Sequence, residues 1–199
     1  MAALLIAAGA FAGLGSSKQP DTVVLSHGPS GSTTSASALT KLKPLKRSRP
    51  IKLTIPALGM VTVLSTLGLQ ANHRVMVPTS VHIPGWYIDG PAPGQLGSAV
   101  ILGHLDSYLG PGIFFRLKTV RVGNLITVAL ADGKVTHFVV TKVVEYSKTT
   151  FPDKLVYGSH GTESLQLVTC GGAFDHATGH YLSNVVVFSH LVRVSSSKV

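Results

Sequence analysis

Leu125-Ile-Thr-Val-Ala-Leu-Ala-Asp-Gly-Lys-Val-Thr-His-Phe-Val-Val-Thr-Lys-Val-Val-Glu145 decides the fold class. Two β-branched runs, 125–130 and 134–145, flank Ala131-Asp132-Gly133. An Asp-Gly pair between such runs is a strong local signal for a β-hairpin. The same pattern recurs on both sides. Ile51-Lys-Leu-Thr-Ile55 alternates and stops at Pro56. Ser98-Ala-Val-Ile-Leu102, Ser164-Leu-Gln-Leu-Val-Thr169 and Asn184-Val-Val-Val-Phe-Ser189 are further short runs. They are rich in β-branched residues and bounded by Gly, Pro, Asn or Asp. No stretch of a dozen residues carries a convincing helical period. Short strands without long helices between them predict an all-β barrel or sandwich. There is no internal repeat and no Gly-rich phosphate loop.

Composition narrows the class. The chain has 199 residues, enough for one domain and a tail, and 45% of them are hydrophobic. That content excludes a wholly disordered chain. A single cysteine excludes an intrachain disulfide framework and a multi-thiolate zinc site. The formal charge of +9 is uneven: residues 1–52 hold seven basic side chains against Asp21 alone. Basicity that lies mostly in a tail, with aromatics at only 7%, argues against a nucleic-acid-binding domain. It suits a polybasic stretch beside a membrane or an anionic polymer.

Residues 2–14 contain no polar side chain. As a helix they would reach about 20 Å, short of a hydrocarbon core of roughly 30 Å. Three readings stay open: the end of a membrane anchor that starts upstream, a signal peptide without the usual basic n-region, or a buried helix. The Ser-, Thr- and Gly-rich stretch that follows disfavours the buried helix. Lys41 to Arg49 is a basic run, either a solvated spacer or a contact for anionic lipid or wall polymer. The expected organisation is an apolar anchor or signal segment at 1–17, a flexible basic linker at 18–50, and a folded domain at 51–199.

Two residues with chemistry stand where predicted strands end. His104 follows Ala99-Val-Ile-Leu-Gly103, and Cys170 follows Leu165-Gln-Leu-Val-Thr169 and precedes Gly171-Gly172. An imidazole beside a thiol makes a base and a nucleophile, and a protonated His nearby favours the thiolate. The two glycines would admit a substrate backbone. From these residues alone, a small buried Cys and a structural His are the commoner readings.

The wider motifs sharpen this. Gly103-His104-Leu105-Asp106, then Thr169-Cys170-Gly171-Gly172 66 residues later, resemble the sortases. So do Pro84-Gly85-Trp86-Tyr87, Gly97 through His104, and Phe114-Phe115-Arg116-Leu117. Thr178-Gly179-His180-Tyr181 followed by Asn184-Val185-Val186-Val187 looks most like the class F sortases of Gram-positive actinobacteria. The resemblance covers about 51–192. It implies an eight-stranded barrel holding His104 and Cys170 at neighbouring strand ends. It implies a cysteine transpeptidase that needs no cofactor. Cys170 would attack the Thr carbonyl of a Leu-Pro-X-Thr-Gly-type sorting signal on a secreted protein. A thioester would form, and His104 would protonate the leaving amine and then deprotonate an incoming cell-wall precursor amine. The implied location is the outer face of the cell membrane, held by the N-terminus, or secreted if that segment is cleaved.

The chain departs from the family at one point. Sortases carry an Arg at the start of the last strand, and here that region reads Tyr181-Leu-Ser-Asn184-Val185. Asn184 is one substitute, as a neutral oxyanion donor. Arg116, 12 residues after His104, is another, and an unfilled role is the third. Trp86, Thr169, His180 and Tyr181 are candidates for the substrate groove, each also explicable by packing or strand continuity. Asp106 could orient His104 or stabilise a turn. His176 and His180 lack a metal-site motif, so no metal is expected. Two rival readings remain: an L,D-transpeptidase-like wall enzyme, whose Ser-x-Gly-Cys motif is not matched, and an inactive sortase-fold binder of wall peptide or polymer.

Overall fold

The computed structural model describes residues 45–196. The expected segment 1–17 and the linker through residue 44 lie outside the described residues.

The hairpin around Asp132-Gly133 forms as the sequence predicts. β8 (Leu125–Leu130) pairs antiparallel with β9 (Lys134–Ser147), and Gly133 takes φ +80° at the turn. Four further strands contain the remaining predicted runs: β1 (Pro50–Ile55), β5 (Gly97–Leu102), β10 (Glu163–Asp175) and β11 (His180–Ser196). Three short ones complete the sheet: β2 (Met60–Val63), β3 (Ser65–Leu67) and β4 (Gly85–Tyr87). A separate two-stranded ribbon joins β6 (Asp106–Ser107) and β7 (Gly110–Pro111). One short helix, α1 (Asp153–Tyr157), leads into β10.

The main sheet has nine strands in the order β2-β1-β8-β9-β11-β10-β5-β4-β3. Its two edges, β2 and β3, are separated in sequence by Leu64 alone. The Leu64 amide donates to Ile51 O on one side (3.1 Å), and the next amide, Ser65, donates to Pro84 O on the other (3.0 Å). The sheet therefore curls until one segment forms both edges, giving a nearly closed barrel. The expected count of eight is corrected to nine. Leu64 turns into the core and Leu67, three residues on, packs on the opposite face, as strand alternation requires; what divides 60–67 is the change of pairing partner at Leu64, from β1 to β4.

Alternation along the strands feeds two cores. Leu165, Leu167, Ala99, Ile101 and Phe138 point into the barrel. Val168, Val100, Leu102 and Val186 point outward and are covered by Val156 of α1 and by Val75 and Tyr87. Every residue of β5 is buried, which explains why its run is continuously apolar rather than alternating. The fully buried Leu, Ile and Phe side chains each contribute about 1.5–3 kcal/mol by leaving water.

Residues 45–50, read from the sequence as the end of the linker, lie on the barrel. Leu45 packs against the inner core. The Arg47 guanidinium stands 4.9 Å from the Trp86 ring centroid and donates to the carbonyls of Ile88 and Gly90. Among the described residues, no helix is long and apolar enough to cross a membrane.

Candidate active site

The strand registers bring the chemistry together. β5 and β10 run parallel, with Val168 opposite Leu102, and the Gly103 amide extends the pairing by donating to Val168 O at 3.0 Å. Two residues further along both chains are Cys170 and His104; His104 lies just past the end of β5, but Cys170, expected at a strand end, lies within β10, which runs on to Asp175. Across the other edge of β10, Cys170 pairs with Asn184 of β11, and Asn184 pairs with Tyr146 of β9. Cys170, Asn184 and Tyr146 thus form one row across three strands, on the outward face shared with Val168 and Val186, with His104 just beyond the end of the neighbouring β5.

His104 is held from several directions. Its backbone carbonyl accepts from the Phe114 amide at 2.9 Å. Phe114 is fully buried and lies so close beneath Gly103 that a Cβ there would come within 2.5 Å of its ring. The β6–β7 ribbon carries the chain back to Gly112, whose backbone rests on the His104 carbonyl. The His104 ring places Nε2 2.7 Å from Pro78 O, in the connection between β3 and β4. That connection is pinned by the buried Val75 and by the Ile113 amide donating to Val81 O.

Cys170 is 5% exposed at the rim of the outer core. Lys148, in the turn after β9, places Nζ 3.7 Å from its Sγ. Burial pushes the Cys170 thiol up; the Lys148 ammonium pulls it down, and the Asp106 carboxylate adds to the upward push. Burial wins, so the thiol is the resting form. Tyr181 donates its hydroxyl to Asp106, which pushes its own titration up to about 12. Cys170 sits within electrostatic reach of this pair.

The other predicted residues divide. Asn184 reaches the site: it is fully buried beside Cys170, and neither its Nδ2 nor its Oδ1 has a hydrogen-bond partner among the described residues. Tyr181 reaches it through Asp106 and packs edge-on against Phe174, with centroids 5.1 Å apart. Arg116 lines a groove with Leu58, Met60, Pro111 and Gly112, while the charges that act on Cys170 are Lys148 and Asp106. Trp86 is 4% exposed in the inner core, with Nε1 donating to Pro91 O at 3.0 Å, so it packs rather than walls a groove. Thr169 is buried and points into the barrel, because alternation turns it away from Cys170. His180 pairs with Asp175 at the far end of the β10–β11 hairpin. Among the described residues, no three His, Cys, Asp or Glu side chains gather as a metal-holding group.

Two participants escaped the sequence reading. Lys148 lies 22 residues before Cys170 with no motif around it, and a backbone carbonyl such as Pro78 O leaves no mark in sequence. Only the strand order makes either visible.

Comparison with known proteins agrees with this geometry. A family model for the sortase domain matches residues 53–192. Sortase C from Streptococcus pneumoniae is similar in structure, with a TM-score of 0.56 at 18% identity over 78% of this chain and 72% of that one. Sortase A from Corynebacterium diphtheriae aligns with a TM-score of 0.56 at 17% identity, over 74% and 62%. Sortase A from Listeria monocytogenes aligns at 0.56 and 13%, over 77% and 92%. At these identities the likeness is one of fold. No match was found among curated protein sequences.

Proposed function

Because this chain belongs to the sortase family, whose members are cysteine transpeptidases, we propose that it cuts a Leu-Pro-X-Thr-Gly-type sorting signal through a Cys170 thioester. The grouping of His104, Cys170 and Asn184 carries the reading. Cys170 gives its proton to His104 and attacks the Thr carbonyl. The tetrahedral intermediate collapses, the Gly-side amine leaves with that proton, and an acyl-enzyme remains. An acceptor amine on a cell-wall precursor then gives its proton to His104, attacks the thioester and releases the thiolate, which takes the proton back. One imidazole serves as base and acid in turn.

The Nε2 contact supports this assignment. A carbonyl oxygen only accepts, so Pro78 O requires a proton on Nε2. Nδ1 is then the basic nitrogen of the neutral ring. The class F relationship rests on the Thr178-Gly-His-Tyr181 and Asn184-Val-Val-Val187 motifs. The apolar 2–14 stretch supports tethering to the outer face of the membrane, with secreted sorting-signal proteins as substrates.

The test is intact-mass spectrometry of the full-length chain incubated with a Leu-Pro-X-Thr-Gly peptide and no amine. An acyl-sized mass gain that is absent in Cys170→Ala supports the proposal. An unmodified folded chain whose Cys170 still reacts with iodoacetamide would favour the peptide-binding alternative.

A further inference from the structure

We propose that Lys148 is the cationic catalytic residue of this site, supplied from the end of β9 instead of from β11. The inference deepens the transpeptidase reading and rests on it for the identity of the reacting carbonyl.

The chemistry creates negative charge twice, first on Sγ and then on the carbonyl oxygen. A buried site holds such charge only where an opposite charge or fixed donors face it. The start of β11 offers no Arg or Lys: it reads His180-Tyr-Leu-Ser-Asn184, and no Arg lies between Cys170 and Arg193. Arg193 pairs in register with His137, nine residues along the strand from Asn184.

Lys148 fills the gap by topology. β9 lies next to β11, and its Tyr146 stands in the same row as Asn184 and Cys170. Two residues later the chain turns through 148–150, with the Ser147 hydroxyl accepting from the Thr149 amide. That turn directs the Lys148 stem back over the row, bringing Nζ to 3.7 Å from Sγ.

The groups that act on Cys170 come from three elements besides its own: Asp106 opens β6, Tyr181 lies near the start of β11, and Lys148 follows β9. Asp106 opposes the thiolate and is engaged by the Tyr181 hydroxyl. Lys148 is the charge that favours it. The buried Asn184 amide, without a partner among the described residues, adds a neutral donor in the same row. As Sγ bonds to the carbonyl carbon, the carbonyl π pair moves to oxygen, and the ammonium that stood against the thiolate stands against the oxyanion. It keeps its own protons throughout.

The experiment measures iodoacetamide alkylation of Cys170 against pH in the full-length chain, for wild type, Lys148→Met, Lys148→Gln and Lys148→Arg. Acylation by the sorting-signal peptide is measured on the same samples. Loss of the charge is expected to raise the alkylation midpoint by about one pH unit in both neutral variants, as for a lost opposite charge at this range. Acyl-enzyme formation should fall by about 100-fold, with Lys148→Arg restoring the midpoint and most of the rate. An unchanged midpoint and rate in a folded Lys148→Gln would overturn the proposal. A charge-dependent midpoint in a chain that no peptide acylates would instead defeat the transpeptidase reading alone.

Discussion

The His104 ring and the Pro78 carbonyl are joined by a 2.7 Å hydrogen bond that crosses from the strand end of β5 to the β3–β4 connection. Since the carbonyl can only accept, it selects the Nε2–H tautomer and leaves Nδ1 for the chemistry. Nitrogen-15 NMR of labelled protein in the neutral state should show Nε2 protonated and Nδ1 bare for His104. The reverse pattern would mean that this contact does not set the tautomer.

Gly112 carries a second prediction. A Cβ at this position would lie 2.5 Å from the His104 carbonyl oxygen, which is backbone and cannot swing aside. Gly112→Ala must therefore shift the His104 segment. An active-site displacement near 1 Å costs about 100-fold in rate. Acylation should fall by that order while the chain remains folded by circular dichroism. Full activity would show that the segment gives way without moving the ring.

Asn184 separates stability from function. Its two buried polar atoms have no partners among the described residues, and leaving such groups unpaired costs about 1–3 kcal/mol. Asn184→Val extends the Val185–Val187 run and removes them. The melting temperature should rise, and the acylation rate should drop by about 100-fold as an oxyanion donor is lost. If both stay constant, the amide has no part in catalysis.

Tyr181 ties β11 to β6 through Asp106. Tyr181→Phe should cost about 1 kcal/mol in urea denaturation, the usual worth of one hydrogen bond. The pH dependence follows from the titration. The folded phenol is raised from 10.0 to about 12, so it binds its proton more tightly than the unfolded chain does. Below pH 10 both states are protonated and the contribution is complete. Between about pH 10 and 12 the unfolded state alone ionises, and the contribution is lost. The difference in stability between wild type and Tyr181→Phe should therefore vanish across that window.

Arg116 gives a prediction of little change. It lines the groove of Leu58, Met60 and Pro111, whereas the charges that act on Cys170 are Lys148 and Asp106. Arg116→Ala should keep the acylation rate within about twofold, as for a surface substitution away from the chemistry. A loss of 10-fold or more would place Arg116 in the substrate path.

Much of this molecule was legible as sequence. Asp132-Gly133 specified its hairpin because a tight turn depends on adjacent residues only. The strands at 51–55, 98–102 and 164–169 were visible because burial imprints a local pattern of apolar residues. His104 and Cys170 stood out because each ends such a run inside a motif. β2, β3 and β4 were not visible. They have three or four residues each, too few for a period, and the pairing partner changes at Leu64 between two of them.

What the sequence determined by itself is the fold class, the family motifs and the two candidate reacting residues, all encoded by neighbours along the chain. The tertiary structure alone decided what surrounds the thiol. Whether Asn184, Arg116 or Lys148 acts on Cys170 depends on strand order and register. Those join residues 14, 54 and 22 positions away from it, and such distances leave no local pattern to read. The physical reason is that a charge acts through space: the β9–β11–β10 pairing puts Lys148 against Cys170, and the same folding leaves Arg116 lining the groove of Leu58 and Met60.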